Sequence, residues 1–506
     1  MVTPSKRIFL DIIHAGGIPP VYAEIPFRSP HEAYQSIASR DSFLLESVKG
    51  PEKIARYSFI GFDPCLIFKI KNGNAAVEGS YKKTILSRKP LSILKALMSR
   101  YTQAPYDFLP PFQGGIAGMM SYDFVHYFEN LPINTIDDLQ LPDAHFFMID
   151  RLIAFDHEEK RSWVIVCPGL RFLMSHENSQ VVPDWSVVYD EADNAAGEIM
   201  ERMMCTILQA GNGVPAASQS GIRSDKKIEV HHEMTKQDYT DMVKRAKAYI
   251  TAGDIFQANL SQRVSAGIMQ KSPWNLYRIL RSVNPSPFAA FIDFGDYQIV
   301  SSSPERLLRI RGSTIETRPI AGTRPRGKNR KEDALMRKEL LLNEKERAEH
   351  IMLIDLERND LGRVSSYGTV GVDEFMITEE YSHVIHIVSN ITGNLAHGKY
   401  CFDAIRATFP GGTITGVPKV RCMEIIDELE PLRRGPYTGS IGYLGFSGAL
   451  DFNIIIRTFI IKNDSAYVQA GAGIVADSDP DREYDETLRK AEALVKTLEL
   501  VQITEI

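Results

Sequence analysis

The 506-residue sequence predicts an α+β fold, a layered sandwich of two mainly antiparallel β-sheets flanked by helices. Three observations predict it. Short apolar runs bounded by Gly, Pro, Asn or Asp recur through the first half. Long amphipathic stretches occupy much of the second half. The two never settle into the regular strand, helix, strand alternation of a doubly wound sheet.

Taken in order, residues 43–45, 56–60, 65–70, 115–119, 145–155 and 163–167 read as strands. A short amphipathic helix is expected at 91–101 and a longer one at 195–211, where apolar residues return every three or four positions. Residues 211–227 are rich in Gly, Ser, Ala and charge without an apolar period, which predicts a connection. It divides the chain into an N-terminal region, 1–225, and a C-terminal region, 226–506. Helices follow at 235–252 and 274–283, then strands at 288–294 and 298–301, then one long helix at 330–356 built from strong helix formers.

Hydrophobic residues make up 44% and charged residues 24% of the chain, the balance of an ordinary globular protein rather than a disordered or fibrous one. With 58 basic against 64 acidic side chains the net charge is −6, which argues against nucleic acid as the main partner. Any anionic substrate must therefore meet locally placed cations or a metal. The five cysteines are scattered and form no C-x-x-C pair, so a reducing, cytoplasmic location is expected. No apolar stretch reaches the roughly 18 residues that span a bilayer, and the apolar start at 8–13 is interrupted by Asp11 without a cleavage site after it, so neither a membrane nor a signal peptide is expected.

Two carboxylate pairs stand out. Glu346 and Glu349 lie three apart on the long helix and so share a face. Glu483 and Glu486 repeat the spacing after Asp479-Pro480, a cap followed by a favoured first helical residue, and Lys490 lies on the same face. Converging, the pairs would suit one hard cation such as Mg²⁺; each alone more often marks a solvated helix face.

Gly471 and Gly473 sit in a string that fits a dinucleotide fingerprint, but helix signals begin only after Asp477 and too little chain remains for that fold. Their use is instead to bare backbone N–H groups to an anion. The string at 411–419 half-resembles a phosphate-binding loop and fails at Val417-Pro418; a tight turn capping a helix is the alternative. The basic segment 318–327 reads as a turn-rich loop. No cysteine lies in a G-x-C-x-G elbow, so the nucleophile that releases ammonia from glutamine is absent.

Together these strings resemble the chorismate-binding family, and within it the synthase subunits of anthranilate synthases. The resemblance is carried by GDIFQANLSQR (253–263), SSPE (302–305), RPIAGTRPRG (318–327), EKERAEHIMLIDLERNDLGRV (344–364), YSHVIHIVS (381–389), FPGGTITGVPK (409–419), RRGPYTGSIGY (433–443) and QAGAGIVADSDPDREYDETLRKA (469–491), and more thinly by LLES (44–47) and RYSF (56–59). It implies the family's fold with a smaller N-terminal subdomain. It also implies Mg²⁺ held directly by Glu349 and Glu486, with Glu346 and Glu483 acting through bound water. Chorismate's ring carboxylate would lie by the metal, Gly322 and Thr413, and its enolpyruvyl carboxylate by Tyr437, Arg457, Gly471, Gly473 and Lys490. Glu305 would be the acid for the departing hydroxyl, beside Thr323, with an ion pair to Arg306 or Arg309 as its alternative. His386 would serve pyruvate elimination; by its neighbours alone it reads as a packed core residue.

Gln257 stands where water-adding relatives carry a lysine base, which favours ammonia as nucleophile. The implied activity is conversion of chorismate and ammonia to anthranilate and pyruvate, the first committed step toward tryptophan, in a hetero-oligomer with a glutamine amidotransferase subunit. Leu45, Glu46, Ser47, Ser58, Pro287, Phe288 and Tyr443 would line a feedback site for L-tryptophan, with Glu46 meeting its ammonium; core packing is the alternative. Ala321 favours anthranilate over aminodeoxychorismate as product, whereas QANLSQR and the NPSPFA segment (284–289) lean the other way. A non-catalytic tryptophan- or chorismate-binding protein is the reading from a different class.

Overall fold

The computed structural model describes residues 2–80, 82–176, 181–210, 229–268, 271–380 and 384–503. Two large sheets dominate it, and nearly every neighbouring pair in them is antiparallel. From edge to edge the first sheet contains Val21–Ile25, Arg161–Val166, Arg151–Asp156, Tyr57–Gly61, Ser42–Glu46, Phe288–Asp293, Gln298–Ser303, Thr458–Lys462, Ser465–Ile474, Gln257–Gly267 and His231–His232. The second runs from Ile320–Pro325 through Val384–Asn394, Thr314–Arg318, Arg306–Arg311, Leu450–Asn453, Ser440–Gly445, Gly115–Met120, Ala144–Ile149, Leu66–Lys71 and Asn74–Glu78 to Lys82–Leu86.

Both regions supply strands to both sheets. Ser42–Glu46 pairs with Phe288–Asp293, and Gly115–Met120 pairs with Ser440–Gly445. The expected connection at 211–227, with its boundary at 225, lies outside the described residues.

Between the sheets, Phe43, Phe59, Leu152 and Trp163 meet Phe147, Ile441 and Tyr443 in a dry interior. Helices cover the outer faces. Ile153, Phe155 and Val164, which alternate with the inward residues, pack under the helix Trp185–Ala210 through Tyr189, Ala196 and Ile199. A strand covered on both faces is apolar at every position, which is why these read as unbroken hydrophobic runs.

Three expectations are corrected here. The run 145–155 is two strands in different sheets, Ala144–Ile149 and Arg151–Asp156, because the chain crosses over at Asp150, whose buried carboxylate is held by Arg171. The long helix at 330–356 is also two, Arg330–Leu342 and Glu344–Gly362. Asn343 ends the first in an extended conformation, and its side chain accepts the Glu346 N–H to cap the second. Helix propensity carries across this junction, but the cap decides the break. The helix expected at 195–211 starts ten residues earlier, at Trp185.

The site is built by four strands, β1 (Gln257–Gly267), β2 (Ile320–Pro325), β3 (Val384–Asn394) and β4 (Ser465–Ile474), and by three helices, α1 (Glu344–Gly362), α2 (Lys419–Leu429) and α3 (Pro480–Ile503). Helix α3 begins where Asp479 accepts the Arg482 N–H, with Pro480 at the first helical position. No helix among the described residues is long and apolar enough to cross a membrane.

Candidate active site

On β1 the side chains alternate. Ala258 and Leu260 enter a core with Ile425 and Ile426 of α2, which leaves Gln257, Asn259 and Ser261 on the opposite side of the strand. Facing them across the ladder, Asn259 pairs with Gly473 and Ser261 with Gly471. A side chain at Gly471 would lie 2.5 Å from Asn259 Oδ1 and 2.8 Å from the Tyr437 hydroxyl, and one at Gly473 would strike Gln257 Nε2. The two glycines therefore let the amides of Asn259 and Gln257 and the Tyr437 phenol lie directly against the β4 backbone. The buried Oδ1 of Asn259 and Oε1 of Gln257 have no protein hydrogen-bond partner.

A buried ion pair sets this wall. Glu430 accepts two hydrogen bonds from Arg434, whose guanidinium also donates to Ile414 O and Asn259 O, while Glu430 takes both the N–H and the hydroxyl of Ser261. Gly416 is strictly required beside it: with φ +137° it lies flat against Gln257 O, with which its short strand pairs.

Glu305 is buried and its carboxylate accepts the Ile320 N–H at 3.4 Å. Burial pushes its pKa up to about 7, against the neighbouring Thr413 hydroxyl and the Ile320 N–H, with the Glu357 charge adding to the rise and Arg457 opposing it. The alternative pairing with Arg306 or Arg309 does not occur, because Arg306 is taken by Glu316 and Asp451 and Arg309 by Glu316.

On β3, opposite Thr323 of β2, His386 is buried, with Nδ1 2.9 Å from the Thr323 hydroxyl and 3.3 Å from Gly322 O. A carbonyl can only accept, so Nδ1 carries the hydrogen and the lone pair resides on Nε2. Burial, then the Arg457 charge, lower the histidine to about 3, so it is a neutral base at ordinary pH. Arg457 acts on both Glu305 and His386, which places its charge by both groups.

Beyond β2 come the glutamates. A side chain at Gly322, where φ is +62°, would lie 2.8 Å from Glu346. Glu346 also pairs with Arg324 at 3.0 Å. Within 318–327, expected as a basic loop, Ile320–Pro325 is a strand, and the arginines are matched to acids, Arg318 to Glu379, Arg324 to Glu339 and Glu346, and Arg326 to Asp333.

Helices α1 and α3 bring the two glutamate pairs within range of each other. Burial raises the Glu349 pKa, and Glu346, Glu483 and Glu486 raise it further while Lys345 opposes them. All four are half-buried, not splayed into solvent. Lys490 ties this end to the glycines, pairing with Glu486 at 2.8 Å and donating to Gly471 O at 2.9 Å. Four hard carboxylate donors repelling one another suit Mg²⁺ in kind. Among the described residues, however, no three such side chains are gathered at ligating distance.

A separate cavity of about 60 Å³ is lined by Leu45, Glu46, Ser47, Pro287, Phe288 and Tyr443. Ser58 is not part of its lining: its hydroxyl accepts the Ser47 N–H and contacts His157 instead. Glu46 lines the cavity, and its carboxylate accepts from two Arg281 nitrogens and from the Tyr277 hydroxyl at 2.5 Å.

Sequence reasoning passed over Asn259, Arg281, Glu430, Arg434 and Glu357. Glu430 and Arg434 lie beyond the end of α2, with Pro431 between them, so helical spacing does not signal their pairing, and the rest meet their partners only across the fold.

The family model for chorismate binding enzymes matches residues 40–496. The chain belongs to this family. It is 44% identical to the anthranilate synthase component 1 of Acetivibrio thermocellus, covering 90% of both chains. To the aminodeoxychorismate synthase component 1 of Bacillus subtilis (strain 168) it is 42% identical, covering 95% of this chain and 97% of the relative. Among solved structures it is similar to anthranilate synthase component I from Streptococcus pneumoniae TIGR4, with a TM-score of 0.72 at 36% identity over 87% of this chain and 92% of that one. An isochorismate synthase from Escherichia coli, at 16% identity and TM-score 0.66, shares the fold of these chorismate-binding enzymes.

Proposed function

We infer that this enzyme converts chorismate and ammonia into anthranilate and pyruvate as the synthase component of an anthranilate synthase. The observation that carries the reading is the joint placement of a buried acid, Glu305, and a neutral buried histidine, His386, about one cation, Arg457.

In this reading ammonia adds at ring carbon 2 as Glu305 gives its proton to the departing carbon-4 hydroxyl, a step that needs the acid form at neutral pH. His386 Nε2 then takes the carbon-2 proton, and pyruvate leaves as the ring becomes aromatic. The Gly322 carbonyl and the Thr323 hydroxyl hold the imidazole in the required tautomer. Thr413 and the Gly322 backbone would receive the ring carboxylate; Tyr437, Arg457 and the Gly471 and Gly473 backbone would receive the enolpyruvyl arm. Gln257 cannot deprotonate water, which leaves ammonia as nucleophile. Mg²⁺, held by Glu349 and Glu486 with Glu346 and Glu483 behind them, would supply charge neutralisation at the ring carboxylate.

The name component 1 borne by the relatives supports a second, ammonia-supplying component. Tryptophan would act at the cavity beside Glu46, with Arg281 displaced or shared. A second reading, aminodeoxychorismate formation, is favoured by the 42% identical relative from Bacillus subtilis.

The test is a steady-state assay with chorismate, Mg²⁺ and ammonium salt. Fluorescent anthranilate appearing in step with pyruvate is the expected result. An amino product without pyruvate would establish the second reading, and no consumption of chorismate would leave a binding protein.

A further inference from the structure

We propose that Glu357 is a positioning residue for Glu305: the two buried carboxyls are gripped by the same two segments of backbone and compete for one negative charge, so that ionised Glu357 keeps the proton on Glu305. This rests on the reading of Glu305 as the acid of a chorismate site. Glu357 is buried on α1 and has no part in the two steps of the proposed reaction.

The first shared segment is the turn at 411–413. Helix α1 lies directly against it. A side chain at Gly412 would stand 2.3 Å from Leu356 and 3.2 Å from the Glu357 carboxylate, and the Gly412 N–H donates to Glu357 Oε1 at 3.3 Å. On the other side of the turn, a side chain at Gly411 would meet Ile454 at 2.9 Å and Leu307 at 3.3 Å. Ile454 donates its N–H to Glu305 O at 3.0 Å, and the Thr413 hydroxyl neighbours the Glu305 carboxyl. The turn is thus a layer of backbone between the two acids. The second segment is 317–320. The Thr317 hydroxyl donates to Glu357 Oε2 at 3.0 Å, and further along the same segment the Ile320 N–H donates to Glu305 Oε1 at 3.4 Å.

The charges around the pair do not cancel it. Lys419, at the start of α2, is taken by Asp360 and also donates to Thr408 O at 3.1 Å. Among the described residues Glu357 has no ion pair of its own and is met by two neutral donors. Burial, then the Asp360 charge, raise its pKa, against Lys419, Thr317 and the Gly412 N–H. Glu305 faces Thr413, the Ile320 N–H, Glu357 and Arg457. Two carboxyls buried in this way resist being ionised together, and a charge on one holds the proton on the other.

The test follows the Glu305 proton in two ways: by the basic limb of the kcat profile against pH, and by the infrared carbonyl band of the protonated carboxyl in the resting chain, identified by its loss in Glu305→Gln. Glu357→Gln keeps the shape and removes the charge, so limb and band are both expected to titrate at lower pH than in the parent, by about half a unit to one unit. Thr317→Val withdraws a donor from ionised Glu357, leaves that carboxyl more often neutral, and should move both readings the same way by less; this variant reads the pair even where the glutamine variant folds poorly. A Glu357 that only supports the fold would lower the rate at every pH and leave limb and band in place. That result overturns the proposal, as does a move to higher pH. The infrared titration needs no turnover, so a chain that leaves chorismate untouched defeats the proposed function while the link between the two carboxyls is still decided.

Discussion

In Glu305 and His386 one buried region leaves a carboxyl protonated and an imidazole unprotonated, the states that the proposed acid and base require. Burial disfavours whichever form is charged, so it keeps the glutamate protonated up to about 7 and the histidine neutral down to about 3. An acid that must be protonated to act loses activity as pH rises through its pKa. Turnover should therefore fall along a basic limb near pH 7, and in Glu305→Gln that limb should vanish, with kcat at pH 6 lowered by about 100-fold; pH profiles of kcat for both proteins check this. His386→Phe is expected to spare nitrogen addition and slow aromatisation, read as an amino intermediate accumulating ahead of pyruvate. Equal loss of both steps would refute a role confined to elimination. Neither residue's role was readable from its neighbours in the chain. The stretch Ile385-His386-Ile387 looks like core and is core, with all three residues buried; only the opposing strand, carrying Gly322 and Thr323, gives the ring its tautomer.

At the scale of elements, the two E-x-x-E pairs were readable as spacing, and the Asp479-Pro480 start of α3 as a cap. Their meeting was not. It depends on α1 and α3 approaching from segments more than a hundred residues apart, and on Asn343 breaking what propensity alone would continue, so that Glu346 falls in a first turn. Glu349→Gln and Glu486→Gln should each remove most Mg²⁺-dependent turnover while leaving the thermal midpoint near that of the parent; retention of activity in both would refute the metal assignment. The Glu430–Arg434 pair belongs to this scale as well, since it joins the end of α2 to β1 and the turn at Ile414. Glu430→Gln leaves a guanidinium buried without its counter-charge, expected to cost about 3–5 kcal/mol in denaturant titration.

For the whole molecule, the shared sheets mean that the N-terminal cavity and the candidate active site are parts of one body. Glu46 lies on the strand hydrogen-bonded to Phe288–Asp293, which leads through Gln298–Ser303 to Glu305. A ligand in that cavity would therefore act on strands continuous with the site. Burial raises the pKa of each of the four cysteines with described side chains, so none is poised as a thiolate to attack glutamine. The isolated chain should accordingly make product from ammonium salt and none from glutamine, in an assay that offers each alone.

By itself the sequence determined the α+β class, most helix positions, the glycine-rich strings and the glutamate spacing, because these rest on local periodicity, capping and turn chemistry. It also determined the family, through motifs kept in order along the C-terminal region. Tertiary structure alone decided that 145–155 splits between sheets, that Arg281 claims Glu46, that the 318–327 arginines are paired, and that Asn259 lies against Gly471. Each of these depends on which distant residue stands across a sheet or helix face, and no local pattern encodes the partner of a side chain whose neighbour lies a hundred residues away.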